Sequence, residues 1–433
     1  MGGGVRFQTS RPLNIQAVLR ATVAGALAGL VSGSYRWVLN HIEPWRHALI
    51  ARLGGSLLGW VELAAVFAIG AGLARWLTLR FAPEASGSGI PQVEEALARG
   101  GELRWKRLLP VKYVAGVLAL AAGLSLGREG PTVHLGAGLA TALQGRLGAL
   151  PRRALLAAGA GAGLTAAFSA PIAGAVFVLE ELRVAPNLLM ISTGLPAVLA
   201  SYLLTTALLG SEPMFVLPAM AAPSHEVLPL FAALGVAAGI LGVAFNRGLL
   251  GGLTAFKAMR PVPDSLRAAA VGVFAAIVAC WLPAAIGNGE PIAQALIQGP
   301  PSPLAHLVPL LVTKLLLTVV SYGCGVPGGI FAPQLVLGAT LGAILHTLAP
   351  HVGGGTLGPA LATAGMVGVF SASVRAPLTG LVLIVELTHS GHLLLTQSIA
   401  ALGGYLTAAA LRDRPVYEAL RERDERNAAT TTI

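Results

Sequence analysis

The chain has 433 residues, of which 55% are hydrophobic and only 11% charged, with a formal net charge of +10. Soluble domains carry about 25% charged residues, so this composition excludes an ordinary soluble globule and defines a polytopic membrane protein. The positive excess does not point to nucleic acid. The basic residues lie in short segments between apolar stretches, such as Lys106-Arg107 and Arg152-Arg153, and at the termini, where they anchor membrane helices on one side.

Met1 to Pro12 is short and polar and has no cleavable signal pattern. Apolar segments long enough to cross a bilayer, with tilt, follow at 14–41, 51–81, 189–209, 226–258 and 266–287. Shorter pieces cut by Gly and Pro lie at 107–126, 131–149, 152–168, 171–182, 306–323, 332–349, 357–372 and 377–388. Several of these are too short to span alone. A helix that stops inside a membrane must bury its free backbone groups in protein or turn them to a water-filled cavity. The expected fold is therefore all-α, with tilted and broken helices in a single transmembrane domain over 1–433. The charged tail after Tyr417 leaves no room for a soluble regulatory domain. Cys280 and Cys324 stand far apart in apolar surroundings and read as small packing residues; neither a disulfide nor a metal site, nor any cofactor, is expected from them.

The chain repeats itself. Val111-Lys112 has a counterpart in Thr313-Lys314, Glu129-Gly130-Pro131 in Phe331-Ala332-Pro333, and Leu135-Gly136-Ala137 in Leu337-Gly338-Ala339, all at an offset of 202. Further on, Ala170-Pro171-Ile172-Ala173-Gly174 matches Ala376-Pro377-Leu378-Thr379-Gly380 at an offset of 206. Both of those runs reach a glutamate nine positions after the proline, Glu180 and Glu386. Approximate repeats at 14–209 and 226–420 follow. Interrupted helices at matching positions of two repeats are the best sequence pointer to a binding site near the membrane midplane. The spacing alone does not tell parallel from inverted repeats.

Four breaks carry the chemistry: Gly87-Ser88-Gly89-Ile90-Pro91, Gly127-Arg128-Glu129-Gly130-Pro131, Gly325 to Pro333, and Pro415-Val416-Tyr417. Each sets small residues or a proline beside a helix start, where backbone N–H groups and the helix dipole favour an anion. Ser88 and Tyr417 add hydroxyl donors without a fixed charge, which suits a site that an anion must also leave. Glu129 is the outlier. A carboxylate at membrane depth costs about 2.5–3.5 kcal/mol on insertion scales and marks a functional position. At a helix N-terminus it competes with an anion for the same place.

In their order along the chain, GSGIP, GREGP and GGIFAP with a tyrosine opening the final helix resemble the CLC chloride channels and proton-coupled chloride transporters, from about residue 20 to 420. The resemblance implies two inverted repeats and a homodimer with one anion pathway per subunit. It implies a chloride site formed by Ser88, Tyr417 and the amides of Ile330 and Phe331, with Glu129 as the gating glutamate. Gly87, Gly89, Gly127, Arg128, Gly130 and Lys112 support these breaks. Transporters of the family carry an internal proton-accepting glutamate at the position of Glu181, and many pure channels do not. Cysteine at Cys324 departs from the serine common there. Ser88 matches chloride-type members, whereas nitrate-preferring relatives tend to have proline and fluoride exporters depart further.

Rival readings stay beside these. Glu180 and Glu181 also read as a solvated helix end paired with Arg183; adjacent residues diverge by about 100° on a helix, so Glu180 is a supporting or dimer-side group. Lys112 and Lys314 either raise the potential of an anion vestibule or snorkel at helix ends. Arg128 and Arg375 read as structural, His134 as a packed histidine or a proton relay, and Phe331 as a constriction or plain core. Chloride–proton antiport in a prokaryotic cytoplasmic membrane is the leading function, and a passive voltage- or pH-gated chloride channel of the same fold is the alternative. An enzyme is not expected: Ser86 and Ser88 lie outside any G-x-S-x-G elbow, and no H-E-x-x-H or Walker A motif occurs.

Overall fold

The protein is described by a computed structural model covering residues 14–259, 261–298, 302–349 and 357–431, with side chains to residue 426. The polar segment Met1 to Pro12 lies outside the described residues. In the first half the helices are α1 (Ile15–Leu53), α2 (Leu57–Phe81), α3 (Ile90–Arg99), α4 (Trp105–Ala121), α5 (Glu129–Ala142), α6 (Ala149–Phe168), α7 (Pro171–Glu180) and α8 (Leu188–Leu209). In the second they are α9 (Leu228–Ala258), α10 (Asp264–Trp281), α11 (Glu290–Gln298), α12 (Leu304–Gly323), α13 (Phe331–Leu348), α14 (Leu357–Val374), α15 (Pro377–Thr388) and α16 (Leu394–Ala410), followed by α17 (Val416–Thr431).

Nine helices among the described residues have the length and hydropathy to cross a membrane, so the chain is an integral membrane protein. Three of the shorter sequence pieces become full-length spans, α12, α13 and α14, whereas α7 and α15 have 10 and 12 residues. At the start, α1 runs on through Pro44 to Leu53 instead of stopping near 41. Its polar end is accommodated by burial: Arg46 pairs with Glu43 at 2.6 Å and donates to the Leu120 carbonyl at 3.2 Å. The chain breaks only at Gly54-Gly55-Ser56, where the Ser56 hydroxyl accepts the Gly59 amide at 3.1 Å and caps α2.

The element order of the first half recurs in the second. A 3₁₀ turn at Pro83–Ala85 precedes α3, and another at Pro283–Ala285 precedes α11. Helix pairs recur too: α5 packs on α6 as α13 packs on α14, and α1 on α8 as α9 on α16. The α5–α6 and α13–α14 crossings rest on matching glycines. A Cβ on Gly136 would lie 3.0 Å from the Gly163 nitrogen, and one on Gly338 would lie 2.6 Å from the Gly365 carbonyl carbon. Small residues at such crossings let backbones approach where no hydrophobic force drives helices together.

The half-chains lock reciprocally at α7 and α15. Glu180 accepts the amides of Leu378 and Thr379 at 3.0 and 2.6 Å and the Thr379 hydroxyl at 2.7 Å. Glu386 accepts the amides of Ile172 and Ala173 at 3.0 and 2.7 Å. The C-terminal glutamate of each helix thus caps the N-terminus of the other, so the two equivalent helices run antiparallel. This gives Glu180 a supporting role, and Glu386 plays the matching one in the other half.

If the glycine crossings set the helix spacing, Gly338→Val should cost about 3 kcal/mol or more of stability, read as a fall in the thermal midpoint of the detergent-purified protein. An unchanged midpoint would contradict the close approach.

Candidate functional site

The breaks before α3, α5 and α13 are stitched together by backbone hydrogen bonds. Gly87 N donates to Val326 O at 3.2 Å and Gly328 N to Gly87 O at 3.0 Å. Gly127 and Gly329 exchange both of their bonds at 2.7 Å. Gly87 (φ 63°), Gly89 (φ 96°) and Gly325 (φ 78°) take left-handed conformations that residues with a Cβ rarely adopt. Three helix N-termini therefore meet inside the protein. The start of α17 closes the group: the Tyr417 ring lies 5.8 Å from that of Phe331, which also meets Phe370 at 4.7 Å and Phe177 at 6.3 Å.

Glu129 is the first residue of α5 and is fully buried. Its Oε1 accepts the amide of Ala332 in the first turn of α13. The amides of Ile330 and Phe331, named above for the chloride, belong to buried residues of the same helix start, two and one positions before the Ala332 amide that the carboxylate takes. Ile330 is the N-cap, and the free amides lie in the turn after it. Glu129 Oε2, Ser88 Oγ and Tyr417 Oη are buried with no hydrogen-bond partner among the described residues. Three such atoms around one junction are unusual, because buried polar atoms are normally paired. Glycine is required around them. A Cβ on Gly127 would strike the Glu129 carboxylate, one on Gly329 would lie 2.6 Å from Glu129 Oε2, and one on Gly130 would lie 2.8 Å from the Ser88 carbonyl oxygen.

Lys112 and Lys314 do not snorkel. Both are fully buried, with Lys112 Nζ donating to the carbonyls of Ala85 and Gly87 at 2.9 and 2.8 Å, and Lys314 Nζ to those of Ala285 and Gly287 at 3.1 and 2.7 Å. Each lysine fixes the turn ahead of a short helix. The pair reveals a repeat missed in the sequence: Gly287-Asn288-Gly289-Glu290-Pro291 is the counterpart of Gly87 to Pro91, disguised by Asn for Ser and Glu for Ile. Arg128 and Arg375 both bond backbone carbonyls near the breaks. Arg128 donates to the Ala167 carbonyl at 3.1 Å and to Asn40 Oδ1 at 3.2 Å, and Arg375 to the carbonyls of Tyr405 and Asp413 at 2.7 and 3.0 Å. His134 is buried against Gly89, and its ring nitrogens have no hydrogen-bond partner among the described residues. Of the cysteines only Cys324 packs inside; Cys280 is exposed on α10.

Glu181 is the C-cap of α7 and is buried. The pairing with Arg183 anticipated for a solvated helix end is not formed, because Arg183 pairs with Glu418 at 2.6 Å. Glu181 lines a cavity of about 130 Å³ together with Glu94, Arg153, Arg183, Glu418 and Arg421. Glu94 was not singled out from the sequence; only the docking of α3 against α17 brings it here. A second cavity, about 380 Å³, is lined by Gly87, Gln92, Tyr322, Arg75 and Arg423 among others. The two lie on either side of the α3–α17 pair.

Helix N-termini converging on a buried carboxylate make this a membrane protein built to handle anions. The chain belongs to the voltage-gated chloride channel, or CLC, family, whose model matches residues 70–409; it is a family of transport proteins, not enzymes. It is 33% identical to the H(+)/Cl(-) exchange transporter ClcA of Vibrio campbellii (strain ATCC BAA-1116), over 96% of this chain and 92% of that one. A slow cyanobacterial Cl-/H+ antiporter of known crystal structure superposes with a TM-score of 0.87 at 30% identity, covering 94% of this chain and 98% of the other. A CLC-type fluoride/proton antiporter shares the fold, with a TM-score of 0.76 at 22% identity over 93% and 96%.

Lys112 and its pseudo-equivalent offer a matched test. Lys112→Met and Lys314→Met should each cost about 1–3 kcal/mol of stability through the loss of two hydrogen bonds to backbone carbonyls. If Ser88 holds the anion, only Lys112→Met should also weaken chloride binding, measured by calorimetry, because only Lys112 holds the turn carrying Ser88. Equal chloride affinities in the two variants would contradict that division.

Proposed function

We propose that this protein is a secondary antiporter exchanging chloride for protons across a bacterial cytoplasmic membrane. In this reading it is a homodimer of single-domain subunits, each with two inverted repeats and its own anion pathway. The observation that carries it is the Glu129 carboxylate bound to an α13 amide where three helix N-termini meet, which is an anion's place. Ionised, Glu129 fills that place and blocks it. Protonated, it loses the charge that the amides and dipoles reward, and swings out as chloride takes the amides. Ser88, Tyr417 and the turn at Ile330 and Phe331 then hold the chloride, and proton occupancy is coupled to anion access through one side chain.

Glu181 is the inner proton station. It faces the smaller cavity on one side of the α3–α17 pair, and the anion leaves by the larger one beside Gly87, so the inner routes diverge. The apolar ring cluster of Phe177, Phe331 and Phe370 lies around the junction and keeps water from short-circuiting the coupling. Ser88 and the exchangers among the relatives favour chloride as the anion. The homodimer follows from the family resemblance, and in it the apolar faces of α7, α8, α15 and α16, with Ile172, Leu195, Leu199, Leu378 and Leu402, would meet the second subunit. The second reading, a passive chloride channel of the same fold, differs in that Glu181 takes up no proton.

In purified protein reconstituted into vesicles with voltage clamped by ionophore, a chloride gradient should drive protons uphill. Chloride flux without proton movement would make this a channel. Glu129→Gln should keep anion flux while losing its proton coupling and pH dependence. Glu181→Gln should stop proton movement and leave chloride permeation; persistent proton transport in that variant would return Glu181 to a helix-end role. Ser88→Pro should shift preference toward nitrate, and an unshifted preference would count against Ser88 as a ligand.

A further inference from the structure

Glu290 opens α11 and lies beside the gate, where a carboxylate is out of place in a path for anions. One of its oxygens stands 2.9 Å from Arg128 Nη2, and Arg128 is the residue before Glu129 and almost fully buried. That oxygen, Oε1, makes no hydrogen bond among the described residues, so charge attraction rather than directed geometry holds the pair. Glu290 is about one-fifth exposed. With Met214, Phe215 and Ala332 it lines a small void of about 10 Å³. Ala332 is also the residue whose amide holds Glu129, so this void adjoins the gate. The charged groups near Glu290 include Arg128 just ahead of α5, Glu129 on α5 and Arg36 on α1, with Lys314 of α12 against the neighbouring Gly289; the α13 and loop residues facing it there, Leu335, Val336, Met214 and Phe215, are uncharged. Its counterpart in the first repeat is Ile90, so the acid is peculiar to this half.

We propose that Glu290 is a positioning residue for anion access. It pins the Arg128 guanidinium at the mouth next to Glu129 and neutralises it. An anion arriving at this mouth competes with Glu290 for Arg128, and Glu290 thereby sets how strongly this side draws chloride. A fixed carboxylate within contact of the attracting cation lowers the local anion concentration, and removing it raises that concentration. The inference rests on the reading of Glu129 as the gate.

The test compares the half-saturating chloride concentration for flux in vesicles across the wild type, Glu290→Gln and Glu290→Asp. Glu290→Gln should lower it about threefold or more, with a smaller change in maximal turnover and the proton-to-chloride ratio kept. Glu290→Asp, which draws the carboxylate back by one methylene, should fall between, and it carries the test alone if the Gln variant does not fold. An unchanged half-saturation in the variants, or an Asp shift larger than the Gln shift, overturns the proposal while leaving the antiport reading intact. No anion flux in the wild type would overturn both.

Discussion

Everything in this molecule depends on what is done with the unpaired amides of helices that begin inside the protein. The first amides of a helix have no partner within it, and in a membrane no water reaches them unless a path is provided. Here three such N-termini are drawn together by the bonds between Gly87 and Val326, Gly328 and Gly87, and Gly127 and Gly329. The amides that remain form a common patch of positive potential. A side-chain carboxylate, Glu129, has been placed to answer it. Because such a patch favours any anion, a mobile ion could take the same place if the carboxylate gave way.

The remaining architecture holds that junction still. Lys112 and Lys314 spend their buried amines on backbone carbonyls and so fix the turns ahead of α3 and α11. Glycine crossings bring α5 against α6 and α13 against α14, so the helices that present the amides are set by backbone contact rather than by adaptable side chains. Glu180 and Glu386 tie the repeats to one another end to end. The frame of the junction is thus held by backbone contacts and buried hydrogen bonds.

Much of this was legible in the sequence because the junction needs residues that cannot be disguised. Gly at left-handed positions, Pro in a first turn and a glutamate in an apolar run announce themselves, and the offset of 202 survives because both halves need the same break. What escaped was whatever depends on a partner supplied from far along the chain. A lysine in an apolar stretch looks like a snorkelling side chain until the carbonyls of Ala85 and Gly87 are found at its tip. Glu94 reaches Glu181's cavity only through the packing of α3 on α17. The second-half counterpart of GSGIP was hidden because backbone geometry, not side-chain identity, is what the repeat preserves there. That the Glu129 carboxylate takes the Ala332 amide is a matter of which amide a helix start leaves pointing inward, and no sequence pattern encodes it.

The central claim is that the Glu129 carboxylate and a transported anion compete for the same amides. The most direct measurement is chloride binding to the detergent-purified wild type and to Glu129→Ala by isothermal titration calorimetry at neutral pH. Removing the competing carboxylate should tighten chloride binding or add a bound chloride per chain. Equal affinity and stoichiometry in the two proteins would mean that Glu129 does not occupy an anion's place, and the account would fail at its centre.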